Sequence, residues 1–399
     1  MDAFFTELGR TVRARWQAEN FTLSRFPEIA RQALEERPPA QHVDLAALMR
    51  AFLLEDEQPF QTPSGFGQPE LVVFDDPRFY IQILFWLEGT TDIHQHMFSG
   101  AFHVLEGSSL HSRFTFSEAV AVTPHLQLGQ LRMTETRLLE TGSTVPIVSG
   151  GGYIHSLFHL EMPSLTVVIR THTDPGTGPQ FTYLPPHVAV DPFHHDALTA
   201  RRKQLLDVLE KVDDPGYPDL VLEMIGRLDF ERGFFILQNG LAHLRQLGRW
   251  DEALAAFCTR HGALADGVAP TLDEILRRDG LAALRSSITE VEHRFFLALL
   301  LNVPDRVAIL EMVAQRFPGP PLATVLRWAA ELCEPTESGT WLVDAEFPAA
   351  LGVPEPEQPE VFLAALGQTL RAAPTTPPVP HLAELKAALR RSSWKVLVA

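Results

Sequence analysis

The sequence predicts an α+β multidomain protein in which a β-rich region lies between two helical regions. Residues 1–60 and 193–399 carry apolar side chains at the spacing of amphipathic helices, whereas residues 61–192 consist of short β-branched and aromatic runs separated by Gly, Asp and Pro. At 399 residues the chain is long enough for two or three domains. We therefore predict an N-terminal helical segment (1–60), a β domain (61–192) and a large all-α C-terminal domain (193–399).

Composition and charge exclude several classes of protein. Hydrophobic residues make up 45% of the chain, which suits a globular protein with a sizeable core. The net charge of −17 argues against a nucleic-acid partner and against anionic membranes, because both require a basic surface. No run of 18 apolar residues predicts a membrane-spanning helix. The chain has two cysteines, Cys258 and Cys333, and its first residues lack the pattern of a secretory signal. We therefore expect a cytoplasmic protein.

The N-terminal region is predicted to hold helices on either side of a proline pair. Apolar residues recur four positions apart from Phe4 to Trp16, and LMRAF at 48–52 continues a second helical pattern that begins at Leu45. The PPA at 38–40 separates the two segments, since proline disrupts a helix interior.

The C-terminal region is helical by pattern and is punctuated by prolines. The clearest helical segments are ALTARRKQLLDVLEKV at 197–212, LVLEMIGRL at 220–228, EVEHRFFLALLL at 290–301 and VFLAALGQTLRAA at 361–373. PTTPPVP at 374–380 predicts a loop before a last helix. LAHLRQLGRWDEALAAF at 241–257 is typical of a helical-hairpin repeat, but no second copy follows at a fixed period, which favours an ordinary helix pair.

The central region is predicted to form short strands. They are FYIQILFW at 79–86, GAFHVLEG at 100–107, TVPIV at 144–148 and SLTVVIRTH at 164–172. Several short strands with turn signals between them indicate a β-sandwich or a β-barrel.

Three histidines of this region are candidate metal ligands. His94 and His96 are two positions apart, so in an extended chain their side chains share one face and can both reach a cation at about 2.0–2.2 Å. A third ligand has to come from another strand, and His155 follows the glycine turn SGGGY at 149–153. The alternative is that the pair are simply two polar residues on a half-exposed strand.

Other catalytic patterns are absent from the sequence. It contains no GxxxxGK[ST] loop, GxSxG turn, HExxH helix, CxxC pair or GxGxxG after a strand. The histidines are therefore the one coherent constellation that the sequence predicts.

The histidine pattern resembles the two metal motifs of the cupin superfamily over roughly residues 70–185, about a third of the chain. The closer similarity is to the cysteine dioxygenase-like thiol dioxygenases, which have an HxH pair, a small residue or Cys five positions later, and a hydrophobic strand ending in Gly. This chain reads IHQHMFSGAFHVLEG at 93–107, with Ala101 at that fifth position. Most cupins place a glutamate ligand there, whereas Ser99, Gly100 and Ala101 offer no carboxylate.

The resemblance implies a double-stranded β-barrel in which His94, His96 and His155 hold iron(II) as neutral ligands and leave coordination positions open. Zn, Ni, Mn or Co remain alternatives on ligand type alone. Three neutral ligands would leave the metal its full charge for an anionic substrate and O₂.

The chain departs from this family on the strand after the third ligand. Family members place Ser, His and Tyr 13, 15 and 17 positions beyond it, where this chain has Val168, Arg170 and His172. Strand alternation places these three residues on one face, which the family turns inward. The early-strand arginine that binds the substrate carboxylate also has no match, since residues 68–71 contain none. We therefore expect a substrate other than free cysteine, with Arg170 binding its anionic group and His172 acting as a catalytic acid or base. The alternative is a structural Arg–Glu pair and a core histidine.

Further residues are predicted to face the pocket. Alternation along 79–86 places Tyr80, Gln82, Leu84 and Trp86 on one face, and the family places pocket residues there. His103 shares the parity of Ala101, so it is a second catalytic candidate beside the site or a satisfied core histidine. His159 is a further ligand candidate if its strand stays regular. The remaining histidines of the region and its border are predicted to be structural or solvated: His111, His125, His194 and His195.

The sequence thus predicts a non-haem iron(II) oxygenase of the thiol dioxygenase-like cupin group, acting on a small thiol or carboxylate substrate with O₂. Two alternatives stay open: a metal-binding sensor or binding module without turnover, and an O₂-independent lyase or isomerase. The helical C-terminal region is large enough to form a homodimer surface or to recruit a peptide or carrier protein.

Overall fold

The computed structural model describes residues 3–56, 59–62, 66–87, 92–333, 358–371, 379 and 381–398. Two antiparallel β-sheets and a large set of helices make up this part of the chain, in the predicted order of helical segment, β region and helical region. No helix among the described residues is long and apolar enough to cross a membrane.

The N-terminal segment forms helices that start where the sequence provides caps or prolines. They are α1 (Ala3–Ala18), α2 (Phe26–Glu36), α3 (Pro39–His42) and α4 (Leu45–Leu54), with a 3₁₀ turn at Leu23–Arg25. Pro39 occupies the first position of α3, where its missing N–H costs nothing. Asp44 caps α4 by accepting a hydrogen bond from the backbone N–H of Ala47 at 3.0 Å.

Ten strands form two five-stranded sheets in the described residues. In chain order they are β1 (Glu70–Asp75), β2 (Phe79–Trp86), β3 (Gly100–Glu106), β4 (Ser108–Thr123), β5 (Leu126–Glu140), β6 (Thr144–Ile147), β7 (Ile154–His159), β8 (Ser164–Thr171), β9 (Thr182–Leu184) and β10 (Val188–Val190). The spatial orders are β1-β2-β8-β3-β6 and β7-β4-β5-β10-β9. The four strands predicted from sequence correspond to β2, β3, β6 and β8. Hydrogen bonding shows two separate sheets, and a closed barrel stays a prediction.

Alternation in the first sheet separates two apolar clusters. Ile83 and Val167 face the N-terminal helices and pack in one cluster with Phe26. Leu84, from the opposite face, packs in another cluster that both sheets share through Leu157 of β7. The N-terminal helices therefore cover the outside of this sheet, and its inside faces the second sheet.

Helices cover the outer face of the second sheet. They are α5 (Ala197–Lys211), α6 (Tyr217–Arg227), α7 (Phe230–Gln246), α8 (Trp250–His261), α9 (Val268–Ser287), α10 (Val291–Asn302), α11 (Arg306–Arg316), α12 (Pro321–Cys333), α13 (Gln358–Arg371), α14 (Leu382–Leu389) and α15 (Lys395–Val398), with a 3₁₀ turn at Gly262–Ala265. One cluster joins Leu126 and Val188 to helices α5–α9, and another joins Leu110 and Phe158 to helices α9–α15. The sheet and the helices therefore share their apolar cores.

Two buried arginines link the helices to the end of β7. Arg285 donates through Nε to the carbonyl of His159 at 2.9 Å, and Arg294 donates through Nη1 to the carbonyl of Leu160 at 3.0 Å. The strand that carries His155 is thus attached to α9 and α10.

The predicted domain boundaries fall between α4 and β1 and between β10 and α5. Independent folding of the three regions stays a prediction. The loop predicted at 374–380 lies outside the described residues except for position 379.

Candidate metal centre

Three histidines from two separate segments of the β region converge at one point. Ring nitrogens of His94, His96 and His155 lie within 4.8 Å of one another, and all three side chains are buried. The Nε2 atoms of His96 and His155 are 2.8 Å apart. Two nitrogens bound at about 2.1 Å to one ion stand about 3 Å apart at a right angle. The spacing therefore fits a shared cation.

Backbone pairing produces this convergence. His94 and His155 form an isolated antiparallel bridge, in which each backbone N–H donates to the other residue's carbonyl at 2.9 Å. The turn before His155 contains Gly150 at φ 78°, a conformation that suits glycine, and the Gly150 N–H donates to the carbonyl of His96 at 2.7 Å. The two histidine segments are thus held together on both sides of the site.

The hydrogen bonds of the rings fix which nitrogen is available. Nδ1 of His94 donates to the carbonyl of Asp92 at 2.7 Å. In the neutral ring Nε2 is therefore unprotonated, and its lone pair can bind a metal. That buried Nε2 has no hydrogen-bond partner among the described residues. A buried polar nitrogen without a partner costs free energy, and a bound cation would offset that cost.

The charge state of the rings also suits a metal. Burial lowers the pKa of all three histidines, and neighbouring histidines lower those of His96 and His155 further. The rings are therefore neutral at neutral pH, the form in which imidazole binds a metal. No carboxylate or thiol of the described residues joins the group. The donors present are three neutral nitrogens, and they fit a divalent transition metal.

The three rings line a cavity of about 260 Å³ that is enclosed by strands of both sheets. Its walls are mostly apolar, and the apolar side chains that line it include Leu84, Trp86, Phe98, Phe102, Leu157 and Val168. The predicted pocket residues Tyr80, Gln82 and Trp86 line it, as does Arg170. Gln82 presents a buried Oε1 atom that has no hydrogen-bond partner in the described part of the chain. The cavity thus offers the Gln82 acceptor, the Arg170 cation and the Glu70 carboxylate among largely apolar walls.

Arg170 is a cation at the wall of the cavity that Glu70 also lines. Its guanidinium carbon lies 3.4 Å from the centre of the Phe98 ring and 5.1 Å from that of Tyr80. The group donates to two backbone carbonyls, those of Thr171 at 3.3 Å and His172 at 3.2 Å. No carboxylate in the described ranges lies within 4.0 Å of it, so the alternative Arg–Glu pair is not formed there. Burial lowers the pKa of Arg170, which an anion in the cavity would counteract.

His172 lies outside the cavity, contrary to the prediction that it shares the inward face of Arg170. Strand β8 ends at Thr171, so the two-residue alternation does not extend to His172. Its side chain is exposed and donates through Nε2 to the carbonyl of Asp76 at 3.1 Å, with the ring beside Tyr80. This placement gives no support to an acid or base role for His172.

His103 also lies away from the cavity. Phe102 and Val104 are the residues of β3 that face the interior, whereas the neighbours of His103 on its own face, Ala101 and Leu105, pack against the N-terminal helices. Nδ1 of His103 is 2.8 Å from Oγ1 of Thr144. This placement gives no support to a catalytic role for His103 and agrees with the alternative of a core histidine.

Sequence reasoning missed His111 and Tyr153. Nε2 of His111 is 3.1 Å from Nδ1 of His155, and the Tyr153 hydroxyl oxygen is 3.3 Å from the same Nε2. Burial lowers the pKa of His111 to about 3, so its ring is neutral and can accept hydrogen bonds. If His155 binds a metal through Nε2, its Nδ1 carries the proton and donates it to His111. Alternation along β4 from Ser109 to His111 was the signal that could have placed it inward.

His159 is not part of the ligand group. Its Nδ1 lies 2.8 Å from Oγ of Ser109 and 3.2 Å from Oγ of Ser164, and its ring stacks on Trp86. The regular strand does turn His159 to the inner face, but its partners are serines.

No protein-family model and no curated protein matches the chain. Solved structures similar to part of it include a cupin-2 domain-containing protein from Shewanella frigidimarina NCIMB 400, with 13% identity over 33% of this chain and 96% of that one and a TM-score of 0.21. KdgF from Halomonas sp. has 17% identity over 30% of this chain and 91% of that one, with a TM-score of 0.21. Hydroquinone 1,2-dioxygenase from Sphingomonas sp. TTNP3, solved with 4-hydroxybenzoate bound, has 12% identity over 28% of this chain and 70% of that one, with a TM-score of 0.22. Similarity this low leaves function to the residues of the chain itself.

Proposed function

We propose that the protein is a non-haem iron(II) oxygenase with a cupin-type double-stranded β-barrel, acting on a small thiol or carboxylate substrate other than free cysteine. The observation that carries the proposal is the convergence of three buried, neutral imidazoles on a cavity that also contains a guanidinium group. Iron bound by three neutral nitrogens would supply open coordination positions and a full positive charge for activating O₂ and the substrate. Zn, Ni, Mn and Co suit the same donors and are distinguished by the metal analysis below.

Arg170 is the proposed anchor for the anionic group of the substrate. A guanidinium offers a carboxylate two parallel N–H donors, and burial of the pair among apolar walls strengthens these hydrogen bonds. The Phe98 ring lies against the guanidinium and against the ring of His96, at 4.4 Å between centres. The anion site and the metal site are therefore neighbours, separated by one aromatic ring.

Gln82 and Trp86 complete the proposed substrate site in different ways. The free acceptor of Gln82 favours a substrate with a hydrogen-bond donor, since an unpaired buried acceptor is costly. The indole N–H of Trp86 donates to Oγ1 of Thr166 at 3.2 Å, so Trp86 presents an apolar face and excludes water. Tyr80 lies beside Arg170, and burial raises the pKa of its hydroxyl, which keeps it protonated as a hydrogen-bond donor.

The first test is elemental analysis of protein purified without added metal. We expect iron at close to one atom per chain and its loss in the His94→Ala variant. The matched control is His103→Ala, which removes a buried histidine that lies away from the cavity, and it should retain the metal. Oxygen consumption with a panel of thiols and carboxylates follows. A wild-type protein that binds no transition metal would end the oxygenase proposal.

A second candidate function is metal-dependent binding or sensing without turnover. The observation that favours it is the position of His172 outside the cavity, because the predicted acid or base is then missing from the site. A lyase or isomerase that works without O₂ is the third reading. Anaerobic incubation distinguishes them, since an oxygenase needs O₂, a lyase or isomerase turns over without it, and a binding module leaves the ligand unchanged in both conditions.

The remaining sequence predictions stay part of this proposal. The substrate is a small molecule together with O₂, and a peptide or carrier-protein partner for the helical region is compatible with its size. Cys258 and Cys333 are both free, which agrees with a reducing, cytoplasmic compartment.

A further inference from the structure

Three polar side chains form a diagonal row across the first sheet, on the wall of the cavity. Glu70, Gln82 and Arg170 all line the cavity, and their strands are neighbours in the order β1-β2-β8. Glu70 lies opposite Leu84, and Arg170 lies opposite Tyr80, so Gln82 falls midway between them along β2. Each step of the row therefore crosses one strand and shifts by two residues.

The middle of the row is a buried hydrogen-bond acceptor. Gln82 is 3% exposed, and its Oε1 atom has no hydrogen-bond partner among the described residues. The residue opposite it on β8 is Val168, whose side chain offers no donor. A buried acceptor without a donor costs free energy, so a ligand that presents an N–H group at this point is favoured.

The two ends of the row carry opposite charges. The Glu70 carboxylate accepts a hydrogen bond from Oγ1 of Thr62 at 2.5 Å, and a carboxylate has about four acceptor positions in all. Arg170 uses Nε and Nη2 for backbone carbonyls, whereas a guanidinium offers five N–H donors. Burial lowers the pKa of Arg170, and the charges of Tyr80, Glu70 and Asp174 counteract this. A ligand with one positive and one negative group matches the charges of the row.

The spacing of the row determines the length of such a ligand. One diagonal step joins Cα atoms about 8 Å apart, so the Cα atoms at the two ends are about 16 Å apart. The side chains of Glu70 and Arg170 span part of this distance. An extended dipeptide covers about 7 Å and has an N–H group between its ammonium and carboxylate groups. A free amino acid is about half as long and has no N–H between its charged groups.

We propose that the cavity binds a dipeptide-sized zwitterion, with its ammonium group at Glu70, its central N–H at Gln82 and its carboxylate at Arg170. This inference rests on the proposed function, because it keeps Arg170 as the anchor for the anionic group and names the substrate class of the same site. The first sheet provides the row, whereas His155 belongs to β7 of the second sheet and lines the same cavity. The bound ligand and the metal centre therefore share the cavity.

Calorimetry on the full chain as purified tests the charged contacts with alanyl-leucine as the probe. N-acetyl-alanyl-leucine lacks the ammonium group, alanyl-leucinamide lacks the carboxylate, and free leucine lacks the length. We expect each to bind about 10- to 100-fold more weakly than alanyl-leucine. In Glu70→Gln the preference for alanyl-leucine over its N-acetyl form should disappear. The matched control Glu106→Gln removes an exposed carboxylate of the same sheet and should keep the preference.

An ester analogue of alanyl-leucine, in which oxygen replaces the peptide N–H, tests the central contact. It should bind the wild-type protein about 10-fold more weakly than the peptide. Gln82→Met removes the acceptor, and this variant should bind the ester and the peptide equally. Equal binding of the two ligands by the wild-type protein would overturn the assignment of Gln82.

Three results would overturn the assignment of the charged ends. The first is equal binding of alanyl-leucine and any of the shortened or neutralised ligands by the wild-type protein. The second is a preference that persists in Glu70→Gln, because the ammonium group would then bind elsewhere, for example at the metal. The third is an equal loss of alanyl-leucine and its N-acetyl form in Glu70→Gln, which would mean that Glu70 only supports Arg170. Metal content and oxygen consumption are measured separately, so a failure of the oxygenase proposal is distinguishable from a failure of this one.

Discussion

Replacing His111 with alanine should weaken metal binding although His111 is not a proposed ligand. Nδ1 of His155 has Nε2 of His111 as its neighbour at 3.1 Å, and both rings are buried. Without His111, the Nδ1–H of a metal-bound His155 would have no acceptor. An unpaired buried donor costs about 1–3 kcal/mol, which corresponds to a loss of roughly 5- to 150-fold in metal affinity. Partners of this kind typically contribute about 10- to 100-fold, so the two values agree.

The assay is competition between the protein and a chelator of known affinity, followed by optical titration. His111→Gln returns an oxygen acceptor at this position and should recover part of the affinity. The matched control is His159→Ala, which removes another buried inward-facing histidine of the same β-sheet whose partners are Ser109 and Ser164. That variant should lose stability but retain the wild-type metal affinity.

The result that would refute this reasoning is a folded His111→Ala protein with unchanged metal affinity. Circular dichroism and the unfolding midpoint establish that the variant is folded before the titration is interpreted. An equal loss of affinity in His159→Ala would also refute it, because the effect would then come from general loosening of the β region.

Three further predictions concern the cavity, the buried histidines and the N-terminal helices. Arg170→Met keeps the aliphatic contact with the cavity wall but removes the charge, so the metal-loaded variant should bind simple carboxylates about 10- to 100-fold more weakly by calorimetry, and equal binding would contradict the anchor role. Burial lowers the pKa of His103 to about 4 and that of His159 to about 3. The unfolded chain therefore binds more protons below about pH 6.5, and stability should fall by about 1.4 kcal/mol per pH unit for each such histidine as pH drops from there toward these values. Urea unfolding of chelator-treated protein at pH 7 and pH 5 measures this, and equal stabilities would contradict it. Phe26→Ala removes a fully buried ring that lies 4.3 Å from Trp16 and 5.6 Å from Phe79, between centres, and should cost about 3–5 kcal/mol in the free energy of unfolding. A loss below about 1 kcal/mol would show that α2 does not stabilise the sheet.

Strand positions could be predicted from the sequence where apolar runs are bounded by turn residues. FYIQILFW at 79–86 coincides with β2. Its alternation predicted that Tyr80, Gln82 and Trp86 face the pocket, and all three line the cavity. The long strands β4 and β5 were not among the runs singled out, because their outer portions are exposed and carry many polar residues. Exposed strands lack the apolar periodicity on which such predictions depend.

Predictions for single side chains failed where the local backbone departs from a regular strand. The inward face was extended from Arg170 to His172, but hydrogen bonding ends at Thr171 and the chain turns away. His103 was assigned by its parity with Ala101, yet residues 97–99 are not part of a strand, so parity could not be carried from the histidine pair into β3. His111 was missed because its contact with His155 depends on the register of β4 against β7, which pairs Arg113 with His155 and which the sequence does not give.

The shared apolar layer beneath the C-terminal helices has a practical consequence for protein engineering. Leu110, Phe158 and Leu160 meet helices α9–α15, and Leu126 and Val188 meet helices α5–α9. A shortened protein that ends near residue 192 would leave these side chains facing water. It would also lose Arg285 and Arg294, which donate hydrogen bonds to the carbonyls at the end of β7. Such a fragment should aggregate, so a stable shortened β domain would require new polar residues on that side of the sheet.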